Sequence, residues 1–271
     1  MNDAPVRLLV CDIDGTLVRH DKSLPDENIV AIRNLIERGV AVTLISARPA
    51  AGIMPIADML GLTGPFGAFN GGTIFANRGE VLIDNVLPLA ITRQLLQLSI
   101  DECVTRWLFT ADRWLSSDHA DPHTIREVMS SGLRPEAWED TENLMKQGHK
   151  LVAVCDDDTQ MDRIEIAARE IAGEAITLVR SQDYYLDATA IRANKGDGVA
   201  QLAGLHGVDL AQVAVIGDQA NDIAMFRRAG MAIAMGQARP AVKEAAQFVA
   251  ASNEQAGVAD AIARYILPTL G

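Results

Sequence analysis

The order of apolar and polar positions predicts alternating strands and helices in the opening part of this 271-residue chain. Residues 8–11 form a short apolar run of the kind that becomes a buried strand, and a strand is expected over 6–11. Residues 26–38 place Ile29, Ile32, Leu35 and Ile36 at amphipathic helical spacing, with Ser23 and Pro25 near the start and Gly39 at the stop. A second strand is expected over 40–45 and a second helix over 49–60, which is βαβ order. Residues 66–69 read as a further short strand. Asn70-Gly71-Gly72, the apolar residues 73–75, the Asn77-Arg78-Gly79 turn and residues 81–83 read as a turn and hairpin that interrupt this rhythm.

From residue 84 to 188 the pattern changes. Helices are predicted over 91–100 and 159–172, and strands over 105–109, 150–154, 176–179 and 184–187. All three tryptophans, Trp107, Trp114 and Trp138, fall in this block, which suits an α+β insert with its own small core. The βα rhythm then returns with a helix over 196–205, a strand over 213–216, a helix over 220–228, a strand over 231–234 and two final helices. The expected fold class is α/β, with a discontinuous parallel-sheet core domain of residues 1–83 and 189–271 interrupted by an inserted domain of residues 84–188.

Composition narrows the partners. The formal charge of −12 argues against nucleic acid or an anionic membrane, both of which reward basic surfaces. An anionic small substrate would need local positive charge in its site. Cys11, Cys103 and Cys155 are odd in number, far apart and next to apolar residues, so they read as reduced core thiols of a cytoplasmic protein. Residues 1–5 lack a basic stretch leading into an apolar one, and no run of about eighteen apolar residues occurs, so neither export nor a membrane span is expected. The sequence leaves the oligomeric state open.

Four segments carry candidate chemistry, each where a strand meets a loop or a loop meets a helix. Asp12 and Asp14 follow the first apolar strand and open an Asp-Gly-Thr turn. Two like charges so close to a buried strand are costly unless a cation or substrate offsets them. One carboxylate can attack phosphorus, and the other can protonate a leaving oxygen and later activate water. Ser46-Ala47-Arg48 follows the second strand, where a hydroxyl and free amides can bind an anion, although serine is equally a routine helix cap. Lys195, in Asn194-Lys195-Gly196, could hold a phosphate, although alone it reads more readily as a solvated lysine. Asp218, Asn221 and Asp222 lie in a Gly-initiated turn after the strand over 213–216, and can either complete an oxygen shell for Mg²⁺ or cap a helix.

Taken together and in this order, Asp12-Ile13-Asp14-Gly15-Thr16-Leu17, Ser46-Ala47-Arg48, Asn194-Lys195-Gly196 and Gly217-Asp218-Gln219-Ala220-Asn221-Asp222 resemble the four motifs of the haloacid dehalogenase superfamily. The long insert, Asn70-Gly71-Gly72 before it, and the tail segments 234–238 and 252–259 are similar to the Cof-type phosphatases, so the resemblance covers essentially the whole chain. It implies a Rossmann-like core with a large α/β cap that selects the substrate. It further implies that Asp12 is the nucleophile, forming an aspartyl-phosphate, and a Mg²⁺ ligand. Asp14 would be the general acid/base, with its main-chain carbonyl on the metal. Ser46 and Lys195 would bind phosphate, helped by main-chain amides near Ile13 and Ala47. Asp218 would ligate Mg²⁺, Asn221 would contact phosphate, and Asp222 would support Lys195 or the metal shell. Ala47 stands where the family usually has glycine, and Gln237 where asparagine is common.

The resulting expectation is a Mg²⁺-dependent phosphatase acting on a small phosphorylated metabolite, most plausibly a sugar phosphate. A phosphomutase using the same intermediate, or a sensor that retains the fold, are the alternatives. Asp14 favours transfer from a phosphate ester, because dehalogenating members have no leaving oxygen to protonate and lack this residue. Two further clusters read as structural: 118–123, rich in Asp and His, as a polar loop interrupted by Pro122, and Asp156-Asp157-Asp158 as a turn and helix cap. Cap residues around Arg106, Arg113, Trp114, His119 and Tyr184 are the expected source of specificity.

Overall fold

The computed structural model describes residues 4–76, 79–131, 133–138 and 142–271. Asn77 and Arg78 of the expected hairpin turn, and the first three residues of the N-terminus, lie outside them. The chain divides into two compact units: Met1–Ala47, Ile53–Leu82 and Asn194–Gly271 form the first, Arg48–Gly52 and Ile83–Ala193 the second.

The first unit is built on a five-stranded parallel sheet in the order Phe248–Val249, Met231–Ala234, Val213–Gly217, Leu8–Cys11, Ala41–Leu44. Leu8, Leu9, Val10 and Cys11 are fully buried, as are Val213, Ala214, Val215 and Ile216. Strands covered on both faces need apolar residues at every position, which is why these runs do not alternate. The chain leaves Leu8–Cys11 through the helix Asp26–Glu37 to Ala41–Leu44 on one side. It returns through the helix Lys195–Leu205 to Val213–Gly217 on the other. Such a reversal opens a crevice at the carboxyl ends of the two central strands. Cys11 pairs with Ile216 in register, and Asp12 N–H donates to the Ile216 carbonyl at 3.0 Å, so Asp12 and Asp218 leave neighbouring strands side by side.

The Asp26–Glu37 helix differs in one respect from its expected apolar stripe. Ile32 and Leu35 are buried, but Ile36 is 39% exposed and Asn28 is fully buried instead. The Asn28 carboxamide donates to Leu17 O at 3.0 Å and accepts from Ala259 N at 2.9 Å, so a polar residue is satisfied in the core by joining three segments.

The second unit is a six-stranded sheet in the order Ile176–Gln182, Tyr185–Ala190, Lys150–Val154, Thr105–Phe109, Trp114–Ser116, Glu136–Ala137. It is antiparallel except for its last pair. One apolar core gathers Leu95, Leu96, Leu108, Leu151, Met161, Ile164, Leu186 and Ala188 from the sheet and from the helices Leu89–Asp101 and Asp158–Ala172. Trp107 and Trp114 are fully buried and meet edge to face at 5.4 Å, and Trp107 Nε1 donates to Thr124 Oγ1 at 2.9 Å.

Pro122 does not end a helix here. It opens the helix Pro122–Ser131, where its missing N–H is no loss. His123 beside it binds Asp156 at 2.8 Å. Cys103 is exposed with φ of 56°, unlike buried Cys11 and Cys155, and all three are free thiols. The Asp157 side chain accepts from Gln160 N at 2.8 Å and caps Asp158–Ala172. Asp157→Ala is therefore expected to destabilise the protein by about 1 kcal/mol, read from the urea midpoint, and an unchanged midpoint would show that water replaces the cap.

Candidate active site

At the end of Leu8–Cys11 the chain turns sharply through Asp12 to Val18, with Ile13 O accepting from the amides of Thr16, Leu17 and Val18. Ile13 is fully buried, which anchors the turn. Gly15 has φ of 76°, and a Cβ there would stand 2.3 Å from Asp218 Oδ2, so the residue must be glycine on both counts. Thr16 Oγ1 donates to Asp218 Oδ1 at 3.2 Å, and Gln219 Nε2 donates to Asp218 Oδ2 at 2.8 Å. Gln237 Nε2 donates to Gly15 O at 2.5 Å and so ties the loop after Met231–Ala234 to the same turn. Thr16, Gln219 and Gln237 belong to the site's framework, yet sequence reasoning assigned them no role.

Lys195 is the first residue of its helix, whose cap is Asn194 accepting from Asp197 N at 2.9 Å. Its side chain is 2% exposed, and Nζ donates to Asp12 Oδ1 at 2.6 Å and Asp222 Oδ1 at 2.5 Å. The solvated-lysine alternative is excluded. The other Asp222 oxygen accepts from the amides of Asp218 and Gln219, each at 2.8 Å. Helix capping in the fourth segment is thus done by Asp222, which also holds the lysine.

Burial drives the Asp12 carboxyl up to about 7; the adjacent Lys195 opposes the rise, and Asp222 and Asp218 add to it. Asp218 is raised by burial and then by Asp222, with its bonds from Gln219 and Thr16 working the other way. Burial alone would lower Lys195, but Asp12 and Asp222 outweigh it and hold its pKa above the usual value. Oxygen atoms of Asp12, Asp218 and Asp222 lie within 4.8 Å of one another. Three buried carboxylates face one ammonium, so the set has an excess of negative charge. A hard divalent cation with oxygen preference fits that donor set, and Asp12, Asp218 and Asp222 are the side chains that could hold it.

Asp14 is not part of this buried group. Its side chain is 36% exposed and binds Lys22 Nζ at 2.7 Å. Lys22 has φ of 69°, an uncommon conformation that nothing in its sequence neighbourhood announces. Ser46 is buried, and its N–H donates to Gly67 O at 2.9 Å. Ala47 is exposed. The following helix spans Ala50–Leu60, so Ser46 stands upstream of it and is not its cap. Arg48 Nη1 turns onto the Gly52 carbonyl at 3.0 Å. Asn221 is exposed, and its carboxamide meets that of Asn70.

A family model matches most of the chain. The model, that of the haloacid dehalogenase-like hydrolases, covers residues 9–262. The chain belongs to this family. Among its relatives are the 5-amino-6-(5-phospho-D-ribitylamino)uracil phosphatase YcsE of Bacillus subtilis, 25% identical over 98% of both chains, and the HMP-PP phosphatase of Serratia proteamaculans, 25% identical over 88% of this chain and 86% of the relative. A haloacid dehalogenase-like hydrolase from Bacteroides thetaiotaomicron superposes with a TM-score of 0.88 at 27% identity, over 96% of this chain and 99% of the other. Family and relatives support a phosphatase activity for this hydrolase. The polar clusters of its second unit bring no further metal-type grouping among the described residues. No helix among them is long and apolar enough to cross a membrane.

Proposed function

We propose that this haloacid dehalogenase-like hydrolase is a Mg²⁺-dependent phosphatase of small phosphorylated metabolites, with sugar phosphates as the favoured class, working through an aspartyl-phosphate on Asp12. The observation that carries the reading is the buried Asp12–Lys195–Asp222 chain beside Asp218 at the carboxyl ends of two adjacent parallel strands. Asp12 attacks phosphorus with a carboxylate oxygen, and the ester oxygen departs with a proton from Asp14. A water that gives its proton to Asp14 then attacks the acyl phosphate, freeing phosphate and restoring the Asp12 carboxylate. For either transfer Asp14 has to release or share its bond to Lys22.

Lys195 neutralises Asp12 and the phosphoryl oxygens, and Asp222 keeps the ammonium in place. Ser46, Asn221 and the amides near Ile13 and Ala47 complete the phosphate contacts in this reading. Mg²⁺, held by Asp12, Asp218 and the Asp14 carbonyl, would supply the remaining positive charge. The small phosphorylated substrates named for the relatives support the substrate class. We read residues 84–188 as the inserted cap domain, and the free thiols suit a reducing cytoplasm.

The decisive assay is a panel of phosphorylated metabolites and an aryl phosphate with Mg²⁺, following both free phosphate and isomerised product. Free phosphate is expected, with turnover silenced by EDTA. Activity undiminished in metal-free buffer would remove the Mg²⁺ role, and an isomer without free phosphate would make the protein a mutase.

A further inference from the structure

Three consecutive residues, Phe69, Asn70 and Gly71, have φ of 49°, 58° and 86°. Residues with a side chain seldom enter this left-handed region. Two in succession persist only where the surroundings impose the conformation, and such outliers gather at functional sites. Here the constraint comes from two directions. Asn70 N–H donates to the Ser46 carbonyl at 2.7 Å, and Ser46 N–H donates to Gly67 O. On the other side the turn is pressed onto the first turn of the Lys195 helix. A Cβ on Gly71 would stand 2.6 Å from Gly198 Cα, and a Cβ on Gly198 would stand 2.9 Å from Gly71 Cα.

Phe69 and Gly71 are buried, whereas Asn70 between them is half-buried. Its Oδ1 accepts from Asn221 Nδ2 at 3.1 Å, across 151 residues of sequence. A glycine would satisfy the backbone at position 70 with less strain. The asparagine adds one thing, a carboxamide held against that of Asn221. Asn70 thereby connects three of the four chemical segments: Ser46 through its backbone, the Lys195 helix through Gly71, and Asn221 through its side chain.

We propose that Asn70 is a positioning residue of the phosphate site, fixing the Asn221 carboxamide in the orientation in which it meets the phosphoryl group. The proposal rests on the phosphatase reading for the role of Asn221. It makes the strained turn a fifth segment of the site, acting at binding rather than in the chemical step.

The test compares the wild type with Asn70→Gly, Asn221→Ala and the double variant. Asn70→Gly keeps the left-handed turn and removes only the carboxamide, so its melting temperature should stay within about 4 °C of the wild type. Calorimetric titration with inorganic phosphate in the presence of Mg²⁺ should show binding weakened roughly tenfold. KM for an aryl phosphate should rise similarly with kcat nearly unchanged. Asn221→Ala should lose a comparable amount, and the double variant no more than the larger single loss, because the two act as one unit. Wild-type phosphate affinity in Asn70→Gly would overturn the proposal, as would a double variant in which the two losses multiply. If the wild type hydrolyses no ester, the phosphatase reading fails separately, and the phosphate titration still decides the role of Asn70. A wild type that does not bind phosphate removes both.

Discussion

Asp12→Asn is expected to lower kcat by roughly 10⁴- to 10⁶-fold and yet, in metal-free buffer at neutral pH, to give a protein more resistant to heat than the wild type. The loss of activity follows from the proposed chemistry, since an amide oxygen cannot form the aspartyl-phosphate. The gain in stability follows from the electrostatics. Asp12 is 4% exposed, and burial, with Asp222 and Asp218 reinforcing it against Lys195, pushes its carboxyl from 3.8 to about 7. Between those two values the folded protein holds a proton that the unfolded chain has released. The folded state is therefore favoured by this group in acid, and that contribution is lost as pH rises through about 7. Asparagine keeps an oxygen for the Lys195 ammonium and abolishes the charge. Melting temperatures in EDTA should fall for the wild type as pH rises from about 4 to about 7, and fall less steeply for Asp12→Asn. Identical slopes would assign the titration to another group, and retained turnover would reject Asp12 as nucleophile.

Lys195→Met carries the largest expected cost to stability, about 3–5 kcal/mol in the urea-unfolding free energy. The ammonium is 2% exposed and lies 2.6 Å from Asp12 and 2.5 Å from Asp222. Methionine fills much of the same volume, so the loss is chiefly that of a cation bound directly to two buried carboxylates, not that of packing. Adding Asp12→Asn to Lys195→Met should restore part of the loss, because it removes one of the stranded charges. A Lys195→Met protein within about 1 kcal/mol of the wild type would mean that the carboxylates relax to solvent or take up protons at little cost. Turnover should also collapse, since the phosphoryl oxygens lose their buried counter-charge.

The parts of the molecule that were legible in the linear chain are those with a local physical cause. Leu8–Cys11 and Val213–Gly217 are apolar at consecutive positions because both faces of a parallel sheet are covered, and this is visible without a partner strand. Asp157 announces a helix start by its own side chain. The clustering of acidic residues just after the two buried strands marked the crevice, because polar groups at such positions need something to offset their desolvation.

Other features depend on contacts between distant segments. Taken alone, Lys195 reads as solvated, but it is buried because Asp12 and Asp222 lie 183 and 27 residues away in sequence and within hydrogen-bond reach in space. Asn28 is buried although the apolar pattern did not mark its position for the core, because Leu17 and Ala259 supply its partners. Lys22 reaches Asp14 through a left-handed backbone, and Asn70 reaches Asn221 in the same way; no periodicity encodes either conformation.

The sequence by itself determined the element types of the βα core, the residue types available for phosphate chemistry and their order along the chain, since each follows from short-range hydrophobic spacing and side-chain chemistry. Only the tertiary structure decided which carboxylates share a buried ammonium, which one is left facing Lys22 at the surface, and which strained turn holds Asn221. Those outcomes are set by the burial and charge of neighbours brought together by folding, and neither quantity is defined for an isolated stretch of chain.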